Sequence, residues 1–299
     1  PDIFKRAVVV PINKSGDTSN IKDYRPISVL PTINKLIEKI LYNRIYDFIE
    51  KQNVLYTCQF GFRKKSSTET AALEVVSSIR KILDGGKIAS AVFMDMSKAF
   101  DVVNRKTLMR VLQSYGLRGK ISKILESYLT NRTQVVKINK STSSSLFIDT
   151  GIVQGSTLGS LLFILFINGL GKLKNINGSL FLFADDIVLI NSHEKKERSI
   201  EQNIAADIKI ILKYLTSLGM IMNTTKTKYM IFHSINSTIN DTQEIEISPN
   251  QVIQRAYTYK YLGLHLDPNL KWNNHAEQVA KKLCFASAVL WKLKNIIPL

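Results

Sequence analysis

The chain has 299 residues, 45% of them hydrophobic, enough for one large or two moderate domains with a proper core and unlike a disordered tail. The balance of 41 basic against 24 acidic residues leaves +17, which points to a polyanionic partner, nucleic acid first. Two cysteines and four isolated histidines offer neither a disulfide framework nor zinc-ligand spacing, and the apolar run Leu161 to Ile167 is far short of the roughly 20 residues of a membrane span. An intracellular compartment is compatible with the free thiols. The sequence opens at Pro1 without an initiator Met and stops on Ile296-Ile-Pro-Leu299, so it reads as a piece of something longer.

Val8-Val-Val-Pro11 reads as a strand, Lys14-Ser-Gly-Asp17 as a turn and Tyr24 to Leu30 as a return strand, because Pro26 pushes Arg25 toward extended geometry. Apolar residues at 33, 36, 37, 40, 41, 45, 48 and 49 mark one face of a helix to about Glu50. Ser66 with Glu69 predicts a capping box for a second helix ending before Gly85-Gly86. Ile88 to Asp95 is a strand whose mixed apolar run suits burial on both faces. Asn104 caps a helix closed by Gly116, another spans about 119 to 129, and Gln134 to Ile138 with Leu146 to Ile148 predicts a hairpin. Gly151-Ile-Val-Gln-Gly155 is a Gly-bounded loop opening an apolar helix over 156 to 170. Glu197 to Leu218 is a long amphipathic helix, followed by strands at Tyr229 to Phe232, Glu244 to Ile247 and Tyr259 to Leu266, and a helix from Trp272 to Leu293.

Between the helix over 156 to 170 and the one from Glu197 lies Leu180-Phe-Leu-Phe-Ala-Asp-Asp-Ile-Val-Leu-Ile190, two β-forming runs around adjacent carboxylates. It predicts a hairpin with Asp185 and Asp186 at its tip, since Asp tolerates the left-handed backbone of tight loops. Two anions held side by side are costly unless a cation neutralises them, and oxygen donors suit Mg²⁺ or Mn²⁺. Taken alone, a solvated turn explains the pair as well.

The order of elements, a strand ending in Asp95, helices, a Gly-bounded loop and helix, then the carboxylate hairpin, resembles the palm of template-dependent polymerases. The motifs Lys22-Asp-Tyr-Arg-Pro-Ile-Ser28, Gln59-Phe-Gly-Phe-Arg63, Phe93-Met-Asp-Met-Ser-Lys-Ala-Phe-Asp101, Gly151-Ile-Val-Gln-Gly155, Phe183-Ala-Asp-Asp186, Asn223-Thr-Thr-Lys-Thr227 and Tyr261-Leu-Gly263 follow in the order seen in reverse transcriptases of non-LTR (LINE-type) retrotransposons. They resemble the jockey branch.

That resemblance implies an α+β right-hand polymerase core, its antiparallel palm sheet backed by helices. Residues 1–86 would be fingers, 87–266 palm with a fingers insertion at about 104–153, and 267–299 the start of a thumb. It implies RNA-directed synthesis of DNA on a DNA primer with an RNA template and deoxynucleoside triphosphates, two Mg²⁺ ions with Mn²⁺ as substitute, and work in the nucleus without a membrane. Asp95 and Asp185 would be principal metal ligands, and Asp186 a further catalytic carboxylate that either ligates the metal too or stands directly behind those two. Lys14 and Arg25 would clasp the triphosphate, and Phe100 would pack under the sugar and exclude a ribose 2′-hydroxyl. Gln154 and Gly155 would meet the new base pair, and Lys226 would protonate pyrophosphate. Gln59 and Arg63 would touch nucleic acid, as would Leu262 and Gly263 in the primer-gripping turn. Ser160 and Gly169 depart from the Pro and Asp usual in the family. Two alternatives stay open: an inactive nucleic-acid-binding remnant and an RNA-templated RNA polymerase.

Overall fold

The computed structural model describes residues 2–13, 18–21, 24–153, 155–195, 199–235 and 242–294. Lys14 and Gln154 lie outside them. The first strands, β1 (Arg6–Asn13) and β2 (Tyr24–Val29), pair antiparallel. Helices α1 (Thr32–Lys51) and α2 (Thr68–Asp84) lead to β3 (Ile88–Met94). Next come α3 (Arg105–Ser114), α4 (Lys120–Leu129), β4 (Arg132–Ile138), β5 (Ser141–Thr142) and β6 (Leu146–Ile148). The expected hairpin is β4 with β6, but β4 also joins β1 in parallel, so residues 132–148 return to the N-terminal sheet.

Helix α5 (Thr157–Ile167) precedes β7 (Ser179–Phe183) and β8 (Asp186–His193). Then follow α6 (Ile200–Ser217), β9 (Lys228–Phe232), β10 (Glu244–Ser248), β11 (Gln251–Arg255), β12 (Tyr259–Tyr261), β13 (Leu264–Leu266) and α7 (Asn273–Leu293). The second sheet runs β10-β11-β9-β3-β8-β7. It is antiparallel as expected except where β11, absent from the sequence expectation, joins β9 in parallel.

All seven residues of β3 are buried, because both faces of the sheet are covered. On one face Val92, Ile187, Leu189 and Ile231 pack against α5 and α6. On the other, Ala91, Phe93, Val188 and Ile190 pack against α2 and the β12–β13 hairpin. Helix α5 is buried from Leu161 through Ile167, each large side chain contributing about 1.5–3 kcal/mol of transfer free energy. Among the described residues no helix is long and apolar enough to cross a membrane.

Three local expectations are corrected. The cap of α2 is Ser67 with Thr70, each side chain bonding the other's backbone N–H, one residue later than Ser66 with Glu69. The stretch Tyr259 to Leu266 is a hairpin, not one strand, because Leu262 and Gly263 both have positive φ (44° and 93°), as a two-residue turn requires. In α1 the expected apolar face holds only in part: Ile33, Leu36, Ile37, Ile40 and Phe48 are exposed while Asn34 and Glu38 are buried.

Glu38 turns inward for a polar reason. Its Oε2 accepts from Ser156 Oγ at 2.8 Å and from the Thr157 N–H at 3.1 Å, and its Oε1 accepts from Tyr128 Oη at 3.1 Å. A carboxylate at the N-terminus of α5 satisfies free N–H groups and meets the positive end of the helix dipole. It thereby fixes where α5 begins.

Candidate active site

Strand β3 delivers Asp95 to the end of the sheet, where its backbone is clamped. The Asp95 N–H donates to Thr227 Oγ1 at 3.3 Å and its C=O accepts from the Asn223 N–H at 2.8 Å. Asn223 Oδ1 in turn accepts from the Lys226 N–H at 3.3 Å, a side-chain turn of the kind Asn favours. Lys226 Nζ reaches Asp95 Oδ2 at 3.5 Å.

Met94 pairs with Ile187, so continuing the register brings Asp95 opposite Asp186. The hairpin turn is Ala184-Asp185, with Asp186 already the first residue of β8 and paired with Phe183. Asp185 alone therefore sits at the tip. The left-handed residue is Ala184, φ 55°, not an aspartate, and a non-glycine residue there needs its surroundings to hold it.

The surroundings are the loop 58–61. Leu182 N–H donates to Cys58 O and Phe60 N–H to Leu182 O, each at 2.8 Å. Gln59 Oε1 accepts from the Gly61 N–H at 2.8 Å and from the Ala184 N–H at 3.3 Å. Gln59 is 1% exposed. It braces the turn from inside. At Gly61 a Cβ would fall 2.2 Å from Ala184 N, so only glycine lets the two backbones approach.

Arg63 is likewise turned inward. Its Nε and Nη2 donate to Glu50 at 3.0 and 3.3 Å and its Nη1 to the Tyr56 carbonyl at 3.3 Å. Burial alone would raise the Glu50 carboxyl, but hydrogen bonds from Arg63 and Tyr46 outweigh it and hold it below its usual value. Arg63→Ala should therefore cost about 1–2 kcal/mol, the lower part of the range for charged hydrogen bonds given the partial exposure. A depressed carboxylate stabilises above its unfolded pKa and the contribution is lost as pH falls through the folded value. The difference in Tm between wild type and variant should thus shrink below roughly pH 4; a pH-independent difference would refute this role.

The three carboxylates feel one another. Asp185 is raised above its ordinary value, first by burial, then against its own backbone hydrogen bond by Asp95, while Arg25 and Lys226 pull it back. Asp186 is pushed up to about 6 by desolvation and then by Asp185 and Asp95, with Arg25 opposing. Asp186 also faces water, which screens part of this repulsion. Arg25, exposed on β2 opposite Ile12, therefore lies within electrostatic reach of the pair. Among the described residues no three His, Cys, Asp or Glu side chains close into a metal cage by themselves. What the arrangement offers is hard oxygen donors, two of them on the raised Asp185 and Asp186, a set suited to a divalent cation.

Phe100 lies between rings, stacked on Phe163 at 4.2 Å and edge-on to Phe62 at 6.1 Å. Residues 151–153 pack beside it: Ile152 N–H donates to Phe100 O at 2.8 Å. Arg105 ties the same segment down by donating to the Gly151 and Thr150 carbonyls at 2.9 and 3.0 Å. Gly155 has φ 94°, and a Cβ there would meet Ser28 O at 3.1 Å. Its glycine thus answers to this backbone conformation and to β2. Leu262 and Gly263 form the β12–β13 tip, where a Cβ on Gly263 would meet nothing within 4 Å.

Both departures from the family pattern are accommodated. Ser160 keeps an N–H bonded to Ser156 O at 3.4 Å, which proline would lose. At Gly169 the space a side chain would need is filled by Tyr214, whose Oη would be 2.2 Å from a Cβ. Thr227, Asn223, Gly61 and Glu38 act at this site through backbone or helix ends, and residue type alone did not single out those roles.

A family model described as reverse transcriptase (RNA-dependent DNA polymerase) matches residues 12–266. The probable RNA-directed DNA polymerase from transposon BS of Drosophila melanogaster is 28% identical, over 94% of this chain and 32% of its own length. The RNA-directed DNA polymerase from mobile element jockey of Drosophila funebris is 26% identical, over 92% of this chain and 30% of its own length. The chain thus spans about a third of the curated relatives it matches. Telomerase from Candida albicans, solved in complex with a fragment of telomeric RNA, superposes with a TM-score of 0.59 at 15% identity, covering 89% of this chain and 46% of that one. At that identity the likeness concerns the fold, which is the right-hand polymerase fold.

Proposed function

Because the chain belongs to the reverse transcriptase (RNA-dependent DNA polymerase) family, we propose that it extends a DNA 3′-hydroxyl on an RNA template, within a non-LTR retrotransposon protein acting in the nucleus. The observation that carries the proposal is the meeting of Asp95, from the end of β3, with Asp185 and Asp186 of the hairpin, flanked by Lys226 and Arg25. Asp95 and Asp185 are the residues that would hold Mg²⁺, with Asp186 behind them. When bound, such an ion lowers the pKa of the attacking hydroxyl and neutralises phosphate charge.

The chain's own residues do the rest. Arg25 attracts and orients the triphosphate, as a fixed guanidinium suits. Phe100, backed by Phe163, supplies a rigid wall under the sugar. Lys226 stands beside Asp95 as a proton source for the leaving group. Leu262 and Gly263 present an open tip toward the primer. The sheet joining β1 and β2 to β4 supports assigning 1–86 and about 104–153 to fingers, the β3-centred sheet supports 87–266 as palm, and α7, which has no buried residue, supports 267–299 as the start of a thumb.

Primer extension on an RNA template with deoxy- or ribonucleoside triphosphates tests this. Deoxynucleotide addition is expected, and none on RNA, or equal use of both sugars, would overturn it. Phe100→Val should raise ribonucleotide use relative to deoxynucleotide by roughly 10- to 100-fold, the scale of shape discrimination in a packed pocket. An unchanged ratio would remove Phe100 from sugar selection.

A further inference from the structure

The end of the sheet beside Asp95 carries cations that the chemistry above does not use. A cleft of about 580 Å³ opens there, its lining including Asp95, Lys226, Lys228, Arg255, Tyr259 and Lys260. The parallel pairing of β9 with β11 sets Lys228 against Gln254, and Lys228 Nζ donates to that neutral amide oxygen at 2.8 Å rather than to an acid. The next residue, Arg255, lies with its guanidinium 5.1 Å from the centre of the Tyr257 ring. Lys260 projects from the middle of β12 as an exposed side chain. Lys228 and Lys260 thus stand close to Lys226 in a lining whose one carboxylate is Asp95, and a compact polyanion suits such a set of ammonium groups.

Nucleotidyl transfer releases such an anion at this spot. The 3′-oxygen forms a bond to the α-phosphorus, the bond from that phosphorus to the bridging oxygen breaks, its electron pair leaves with pyrophosphate, which takes a proton from Lys226, and the hydroxyl proton passes to solvent water. We propose that the cleft formed with Lys228, Arg255 and Lys260 is the site that receives pyrophosphate as it leaves Asp95 and Lys226. The proposal rests on the polymerase reading. The cleft's volume lies within the range of small-molecule sites, and Asp95 is part of its lining. Primer phosphates carry the same charge and pass near Lys260, so the test separates the two.

Binding of inorganic pyrophosphate with Mg²⁺ is measured calorimetrically on the whole chain, the double variant Lys228→Ala/Lys260→Ala and its Lys→Arg counterpart. Kd should rise roughly three- to tenfold in the Ala variant and stay within about twofold in the Arg variant, more clearly at low salt. In primer extension the inhibition constant for pyrophosphate should rise by the same factor with primer KM unchanged. Equal Kd in all three proteins overturns the proposal, as does a raised primer KM with unchanged pyrophosphate inhibition, which would give these lysines to the primer. Lysine-dependent pyrophosphate binding without nucleotide addition would sink the polymerase reading and leave the site standing.

Discussion

Asp185→Asn is expected to lower kcat for single-nucleotide addition at least about a thousandfold, roughly 4 kcal/mol of barrier, while Tm stays level or rises. The two halves have one cause. Burial and Asp95 raise the Asp185 carboxyl, so its ionised form is unfavourable in the folded protein without a cation. A carboxyl whose folded pKa is raised loses stability as pH climbs through the window between its unfolded and folded values. An amide of the same shape removes that repulsion together with the metal ligand. Asp95→Asn should do the same, while Asp186→Asn, at the start of β8 and open to water, should cost less, on the order of tenfold. Rapid-quench kinetics beside thermal melts would measure both halves. A variant as active as wild type, or one that loses activity only because it unfolds, would remove Asp185 from the chemistry.

Gly61→Ala should be nearly as severe although residue 61 touches no substrate. A Cβ there would stand 2.2 Å from Ala184 N and 2.8 Å from Phe183 C, both backbone atoms of the turn that carries Asp185, so the loop or the hairpin must shift. Displacing a catalytic group by about 1 Å can cost on the order of 100-fold in rate. Gly119→Ala is the matched control. Its φ is 63°, but a Cβ meets nothing within 4 Å, so it should cost only about 1–2 kcal/mol of backbone strain and leave turnover intact. If the two variants lose activity equally, the brace from loop 58–61 is not what positions the hairpin.

What could be read from the sequence was what repeats or clusters. The run from Ile88 to Met94 announced a doubly buried strand because every residue is apolar or small, and the pattern around Asp185 announced a hairpin. Strand β11 escaped notice because in Gln251-Val-Ile-Gln-Arg255 only Ile253 is buried, leaving almost no periodic signal. The face of α1 was misjudged because Glu38 goes inward to cap α5 while four aliphatic residues stay outside, and a partner 118 residues away leaves no local trace. Gln59 and Arg63 stand in the expected motif, with Gln59 bonded to the backbone of Gly61 and Ala184 and Arg63 to Glu50 and Tyr56. A motif fixes which side chain is present, and burial decides whether an amide or guanidinium faces a ligand or its own backbone.

The central claim is that Asp95 and Asp185 hold a divalent cation together at the end of β3. Titration with Mn²⁺, followed by the loss of its free-ion paramagnetic signal, tests it without needing turnover. The wild-type chain should take up Mn²⁺ more tightly when a deoxynucleoside triphosphate is present, and Asp95→Asn/Asp185→Asn should bind at least about tenfold more weakly while melting at the same temperature or higher. Undiminished Mn²⁺ uptake by the double variant would contradict the claim.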